Sequence, residues 1–243
     1  MKKAIIIILL LMSFQSINAN EIFNLIKIPN LEIYTLKSNN GLKYLSAKQN
    51  FKIGFEKNIT CNKPNKKNLD KKFLLIKKNL EKYDFNFLNK INLRFVVMCE
   101  NLFISGINTA GIPDYKKRTL ILDLNFNEKY FERVIHHELF HIIQNNFKSI
   151  FDEKIWSNFN DKAFEYAECS TCSDRLGLDL YDKTNGFLTE YSKSIASEDM
   201  AEVFSFLMTD EIKMKNIANK DSILFSKIEF IKNGIKKIEN FKL

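Results

Sequence analysis

The chain has 243 residues, 45% apolar, 13% aromatic and 27% charged, enough to bury one sizeable core. Seven Gly and three Pro exclude a collagenous or Pro-rich disordered chain, and beyond residue 20 no apolar run reaches the ~20 residues of a membrane span. The formal charge is +8, yet only four of the 37 basic residues are Arg (Arg94, Arg118, Arg133 and Arg175). With Lys spread evenly, this is skewed usage and no nucleic-acid-binding footprint.

Residues 1–19 read MKKAIIIILLLMSFQSINA. A basic start, an apolar stretch from Ala4 to Met12 and a small residue at Ala19 make the layout of a secretory signal peptide cleaved after Ala19. The apolar run is too short to remain as an anchor. Residues 20–243 are then read as one exported domain, periplasmic or secreted, with a charge of +6 once Lys2 and Lys3 are removed.

Residues 20–60 suggest short strands and turns around Leu31–Leu36, Tyr44–Leu45 and Phe51–Phe55. Phe73, Leu74, Ile76 and Leu80 fall at helical spacing and predict an amphipathic helix over Leu69–Tyr83. Leu93–Cys99, Phe103–Ile104 and Thr119–Phe126 read as strands, the last preceded by a turn containing Gly111, Pro113 and Asp114. A long helix is expected over Asn127–Phe147, with Asn127 as its N-cap. Later helices are expected where Ser197 caps the stripe Met200, Val203, Phe204 and Leu207, and over Asp221–Glu239. Strands before helices favour an α+β arrangement.

Cys61, Cys99, Cys169 and Cys172 favour structural disulfides in an exported chain over a zinc knuckle or redox pair. Their pairing stays open among three possibilities.

All three histidines lie within six residues, at His136, His137 and His141. His137-Glu138-Leu139-Phe140-His141 has the form HExxH inside the longest predicted helix. Residues i and i+4 are about 40° apart around a helix and about 6 Å along it, so both imidazoles can reach one zinc ion. Glu138, offset by one, can reach a metal-activated water and take its proton. His136 points about 100° away, which suits packing or support of the site better than ligation. A zinc hydrolase needs a third protein ligand. The chain after His141 has no further His, so the third ligand must be a carboxylate or another donor, with Glu198, Asp199 and Glu202 as candidates on a later helix. Glu198 and Glu202 share one face of their helix, and Glu190 lies nearby.

HHELFH at His136–His141, with GFLTEYSKSIASEDMAEVFSFLM at Gly186–Met208, resembles the lethal-factor-like zinc peptidases of the gluzincin type. The order of blocks, with Ile155–Asn160 between them and Cys99–Gly111 ahead, is closer still to bacterial zinc-binding metallopeptidases. The resemblance covers about residues 69–240. It implies a zincin-like α+β domain with a small mixed sheet, an active-site helix and a helical C-terminal half. It also implies one zinc ion held by His137, His141 and Glu198, with Glu138 as catalytic base, Glu202 orienting a ligand histidine and Tyr191 donating to the oxyanion. Phe140 stands where related enzymes often carry Gly. The expected activity is hydrolysis of peptide or protein substrate laid along the strand Thr119–Asn125 as the edge of the cleft. The alternative is a binding protein that keeps the fold without hydrolysing peptides.

Overall fold

The computed structural model describes residues 31–35 and 38–239. The signal-peptide reading of residues 1–19 therefore lies outside the described residues. Eight strands are present among the described residues: β1 (Leu31–Thr35), β2 (Lys43–Ala47), β3 (Phe51–Ile53), β4 (Ile59–Asn62), β5 (Phe95–Ile104), β6 (Ile107–Asn108), β7 (Gly111–Asp114) and β8 (Thr119–Asp123). The helices are α1 (Lys66–Leu80), α2 (Phe85–Lys90), α3 (Phe131–Asn146), α4 (Glu153–Ser157), α5 (Ala196–Thr209), α6 (Glu211–Ala218) and α7 (Ser222–Ile238). This is the α+β arrangement that the order of elements predicts.

β5 organises the sheet. Its first half pairs in parallel with β2 on one side and β8 on the other. Its second half, expected as a separate strand, continues without a break and pairs antiparallel with β4 and β6. The period of two along the strand sends alternate side chains to opposite faces. Val96, Met98, Leu120 and Leu122 join the large core under the helices, while Val97, Cys99 and Ile121 join a smaller one with Phe51, Ile53 and Cys61.

Three expectations are corrected here. Thr119–Asn125 is not the edge of the cleft: β8 lies between β5 and β7 and is buried at every residue. Its unbroken apolar run is the signature of a strand covered on both faces. The edge is β7, expected as a turn, which among the described residues pairs only with β8. Pro113 is tolerated there because an outer strand can forgo one ladder hydrogen bond. The long helix expected from Asn127 begins at Phe131, and Asn127 instead closes a turn by accepting from the Lys129 amide at 3.0 Å. Ser197 is likewise inside α5, whose N-cap is Ile195 without a side-chain cap. Glu198 and Asp199 occupy its first turn, where the helix dipole favours negative charge.

Disulfides join Cys61 to Cys99 and Cys169 to Cys172. The first staples β4 to β5 inside the smaller core across 38 residues of sequence. Closing a loop of that length removes about 3–4 kcal/mol of unfolded-state entropy. Replacing both Cys61 and Cys99 with Ala should lower the unfolding free energy by an amount of that order in urea titration. The same replacement at Cys169 and Cys172, in an exposed loop, should cost clearly less.

Candidate metal centre

The site is built between two helices, α3 and α5, which make the most extensive helix–helix contact of the fold. Arg133, His137 and His141 follow one another at intervals of four along α3 and so share a face. Glu198 and Glu202 do the same on α5. The two faces meet in antiparallel order. Arg133 donates to Glu202 Oε2 at 3.1 Å, His137 lies between Glu202 and Glu198, and His141 reaches Glu198.

His137 Nδ1 is 3.0 Å from Glu202 Oε1. A carboxylate only accepts, so the imidazole donates through Nδ1 and turns Nε2 toward the cleft. Glu202 is held in place for this by Arg133 and by the Thr189 hydroxyl, which donates to Oε2 at 2.9 Å. Burial would raise the Glu202 carboxyl, but His137 and then Arg133 hold it below the usual range.

On the cleft side, His137 Nε2 and His141 Nε2 are 3.2 Å apart, and Glu198 Oε2 lies 2.8 and 3.1 Å from them. Ligand atoms around a tetrahedral zinc ion with bonds of ~2.0 Å are separated by about 3.3 Å, so this triangle matches a zinc donor set. Its chemistry matches as well. Two imidazole nitrogens and a carboxylate oxygen, turned on one another in a buried corner, call for a shared positive charge. Burial opposes charge on the His137 ring, but Glu198 and Glu202 outweigh it and push its pKa up to about 10. Burial likewise opposes the Glu198 charge, and His141 and His137 reverse that, holding its carboxyl far below the usual range.

Glu138 sits beside this triangle, nearly buried, with its carboxyl pushed upward chiefly by burial. It packs on the edge strand at Gly111, where an added Cβ would come within 2.7 Å of Glu138 Cγ. Only a glycine in β7 leaves room for this carboxylate. Tyr191, in a 3-10 turn (Tyr191–Lys193), stacks on His137 with ring centroids 5.9 Å apart. Burial raises its phenol well above the ordinary value, and the charges of Glu198 and Glu138 add to that shift.

The other candidates lie elsewhere. His136 is fully buried on the far side of α3, with Nδ1 2.6 Å from the Tyr83 hydroxyl and Nε2 3.0 Å from Asn79 Oδ1. Burial pushes its pKa down to about 3, so it stays neutral. Glu190 is exposed and accepts from the Gly177 amide. Asp199, fully buried, faces away from the triangle into a cluster with buried Lys227 and Trp156 and half-buried Tyr166. Its Oδ2 takes the Lys227 ammonium at 2.6 Å, the Trp156 indole at 2.8 Å and the Tyr166 hydroxyl at 2.7 Å.

Sequence reasoning missed Arg133 and Thr189 as supports of Glu202. The position of Arg133 four residues before His137, on the same helix face, was the available signal for the first. Nothing local pointed to Thr189, or to the joining of Asp199, Lys227 and Trp156.

The two sides of each helix should separate by mutation. His137→Ala should abolish zinc binding measured by metal analysis. His136→Ala should keep the metal and lose about 2–4 kcal/mol of stability through a cavity and two broken buried hydrogen bonds. Asp199→Ala leaves the buried Lys227 charge uncompensated and should cost about 3–5 kcal/mol in chemical denaturation, while the folded fraction still titrates with zinc at unchanged affinity.

A family model described as "Putative zinc-binding metallo-peptidase" matches residues 111–240. That segment contains β7, the whole donor triangle, Glu138 and Tyr191. Among solved structures, a putative zinc-binding metallo-peptidase from Bacteroides caccae ATCC 43185 superposes with a TM-score of 0.51 at 18% identity, over 90% of this chain and 85% of that one. It shares the fold. No curated protein matches the sequence significantly. The family match spans more than half of the chain and includes the His137–His141–Glu198 triangle, so this chain belongs to the zinc-binding metallopeptidase family.

Proposed function

We propose that the protein is an exported, zinc-dependent peptidase of the gluzincin type, with one zinc ion per chain held by His137, His141 and Glu198. The observation that carries this reading is the convergence of two Nε2 atoms and Glu198 Oε2 to within 2.8–3.2 Å of one another, beside a buried carboxylate that is not part of the triangle. Zinc bound there supplies a Lewis acid that polarises a carbonyl and acidifies water.

The chain's own residues do the rest. Glu138 accepts the proton of the attacking water and returns it to the leaving amine. Tyr191, fixed against the His137 ring, donates its hydroxyl hydrogen to the oxyanion that develops on the scissile carbonyl. Glu202 keeps the Nδ1 proton of His137 in place, so that Nε2 stays free to ligate.

Extended substrate lies along β7, whose outer edge has no strand partner among the described residues and so can take an added strand. Pro113 contributes only its carbonyl, so the pairing runs through its neighbours. A binding module that merely holds metal would have no use for a general base beside the triangle, which favours hydrolysis over that alternative. Two disulfides and the signal-peptide-like layout of residues 1–19 support export, and no helix of the described residues is long and apolar enough to cross a membrane.

Glu138→Gln preserves size and removes the proton acceptor. Zinc content should stay at about one per chain, while cleavage of a casein mixture should fall by about 10²–10⁴. Chelation should abolish wild-type cleavage, and added zinc should restore it. Undiminished turnover in Glu138→Gln would remove Glu138 from the role of base.

A further inference from the structure

The cleft does not end at the metal triangle. A cavity of about 490 Å³ opens beside it, with His141 in its wall. That volume is within the range of clefts that hold a small ligand, ample for one peptide side chain and its flanking backbone. Pro113 of the edge strand and Tyr115 just after it line the same cavity, so a chain paired along β7 passes its mouth. Buried Phe151 supplies an apolar wall.

Its charged groups are not equivalent. Asp152 is engaged as the N-cap of α4, accepting from the Lys154 and Ile155 amides at 2.8 and 3.0 Å. Glu153 accepts from the Gln144 amide at 3.1 Å. Lys148 and Lys154 also line the cavity, both exposed, and neither ammonium has a carboxylate or carbonyl partner among the described residues. Both acids are fixed by these amides and keep their negative charge, whereas the two lysine side chains are held by no such partner and can turn toward a ligand.

We propose that this cavity seats an acidic side chain of the substrate next to the scissile bond, with Lys148 and Lys154 as the residues that read its charge. The inference rests on the peptidase reading above and names the substrate class for that same site. A Glu or Asp entering past Pro113 meets two ammonium groups, while its methylene groups pack on Phe151. A Lys or Arg at that position meets the same two ammonium groups, and the carboxylates it could pair with already accept amide hydrogens. Exposed pairs are worth only a few-fold each, so the two together give a preference of about tenfold for Glu over Gln, which weakens as salt is raised.

The test uses fluorescein-labelled octapeptides with an alanine background, in which Glu, Gln, Leu or Lys is placed at each position in turn. Binding is read by anisotropy on zinc-loaded Glu138→Gln protein, and cleavage on the wild type. The expected result is one position at which Glu is favoured about tenfold over Gln, with the preference lost in Lys148→Gln/Lys154→Gln and turned toward Lys in Lys148→Glu/Lys154→Glu. These are surface positions outside the zinc site, so zinc content and the circular dichroism spectrum should match the parent. Peptides bound or cleaved without a Glu preference, or with one that survives both double variants, overturn the cavity's assignment and leave the peptidase reading standing. Failure of every peptide to bind or be cleaved, with zinc in place, overturns both.

Discussion

The structure turns on a buried ladder of charge between two antiparallel helices. Arg133, His137 and His141 on α3 meet Glu202 and Glu198 on α5, and each rung uses the i, i+4 stacking of a helix face. Charged groups removed from water persist only when each is matched. Here Glu202 is satisfied by Arg133, Thr189 and one ring nitrogen, so it is structural. Glu198 instead faces two imidazole nitrogens, with the Tyr191 hydroxyl beside it. The ladder is closed at one end and open to a cation at the other, and that asymmetry leaves a candidate metal site at a helix–helix contact.

Everything around the ladder holds it at that spacing. α5 is clamped from behind by Asp199, whose contacts with Lys227, Trp156 and Tyr166 tie α7, α4 and the long connection before Tyr191 to a single carboxylate. α3 is clamped from behind by His136, kept neutral by burial and joined through Asn79 and Tyr83 to α1 and the turn after it. On both helices, neighbouring residues therefore serve opposite faces. His136 and Asp199 anchor, while His137 and Glu198 converge. The sheet adds the third wall, because Gly111 lets β7 close down on Glu138 without a side chain in the way.

The segment between α4 and Tyr191 has almost no regular structure, yet it is fastened at many points. Leu178 offers its carbonyl to Arg133 at 2.6 Å, Gly177 accepts from the Tyr191 amide at 2.9 Å, and Ser194 accepts from the Ala167 amide at 2.8 Å. Connections of this length without helices or strands are uncommon in compact proteins and are usually functional. Here the segment roofs the site and carries Thr189 and Tyr191 into it.

Local rules carried the sequence a long way. HExxH placed His137, Glu138 and His141 because helical periodicity alone sets which side chains share a face. The same periodicity turned Asp199 away from Glu198 and Glu202 and turned His136 away from the donor triangle. The pattern of strands and helices was enough for the α+β class, and the pairing of Cys61 with Cys99 was one of three that remained open. Tertiary structure decided the rest. Whether Thr119–Asp123 or Gly111–Asp114 forms the edge depends on which strand has a neighbour on each side, and no local window contains that. The acidic residues of α5 could have formed a solvated face. Only the packing of α5 between α3 and α7 buried all three and gave them separate roles. Thr189 and Lys227 entered the account for the same reason: a buried charge must find its partner wherever the fold brings one, at distances in sequence that short-range patterns do not reach.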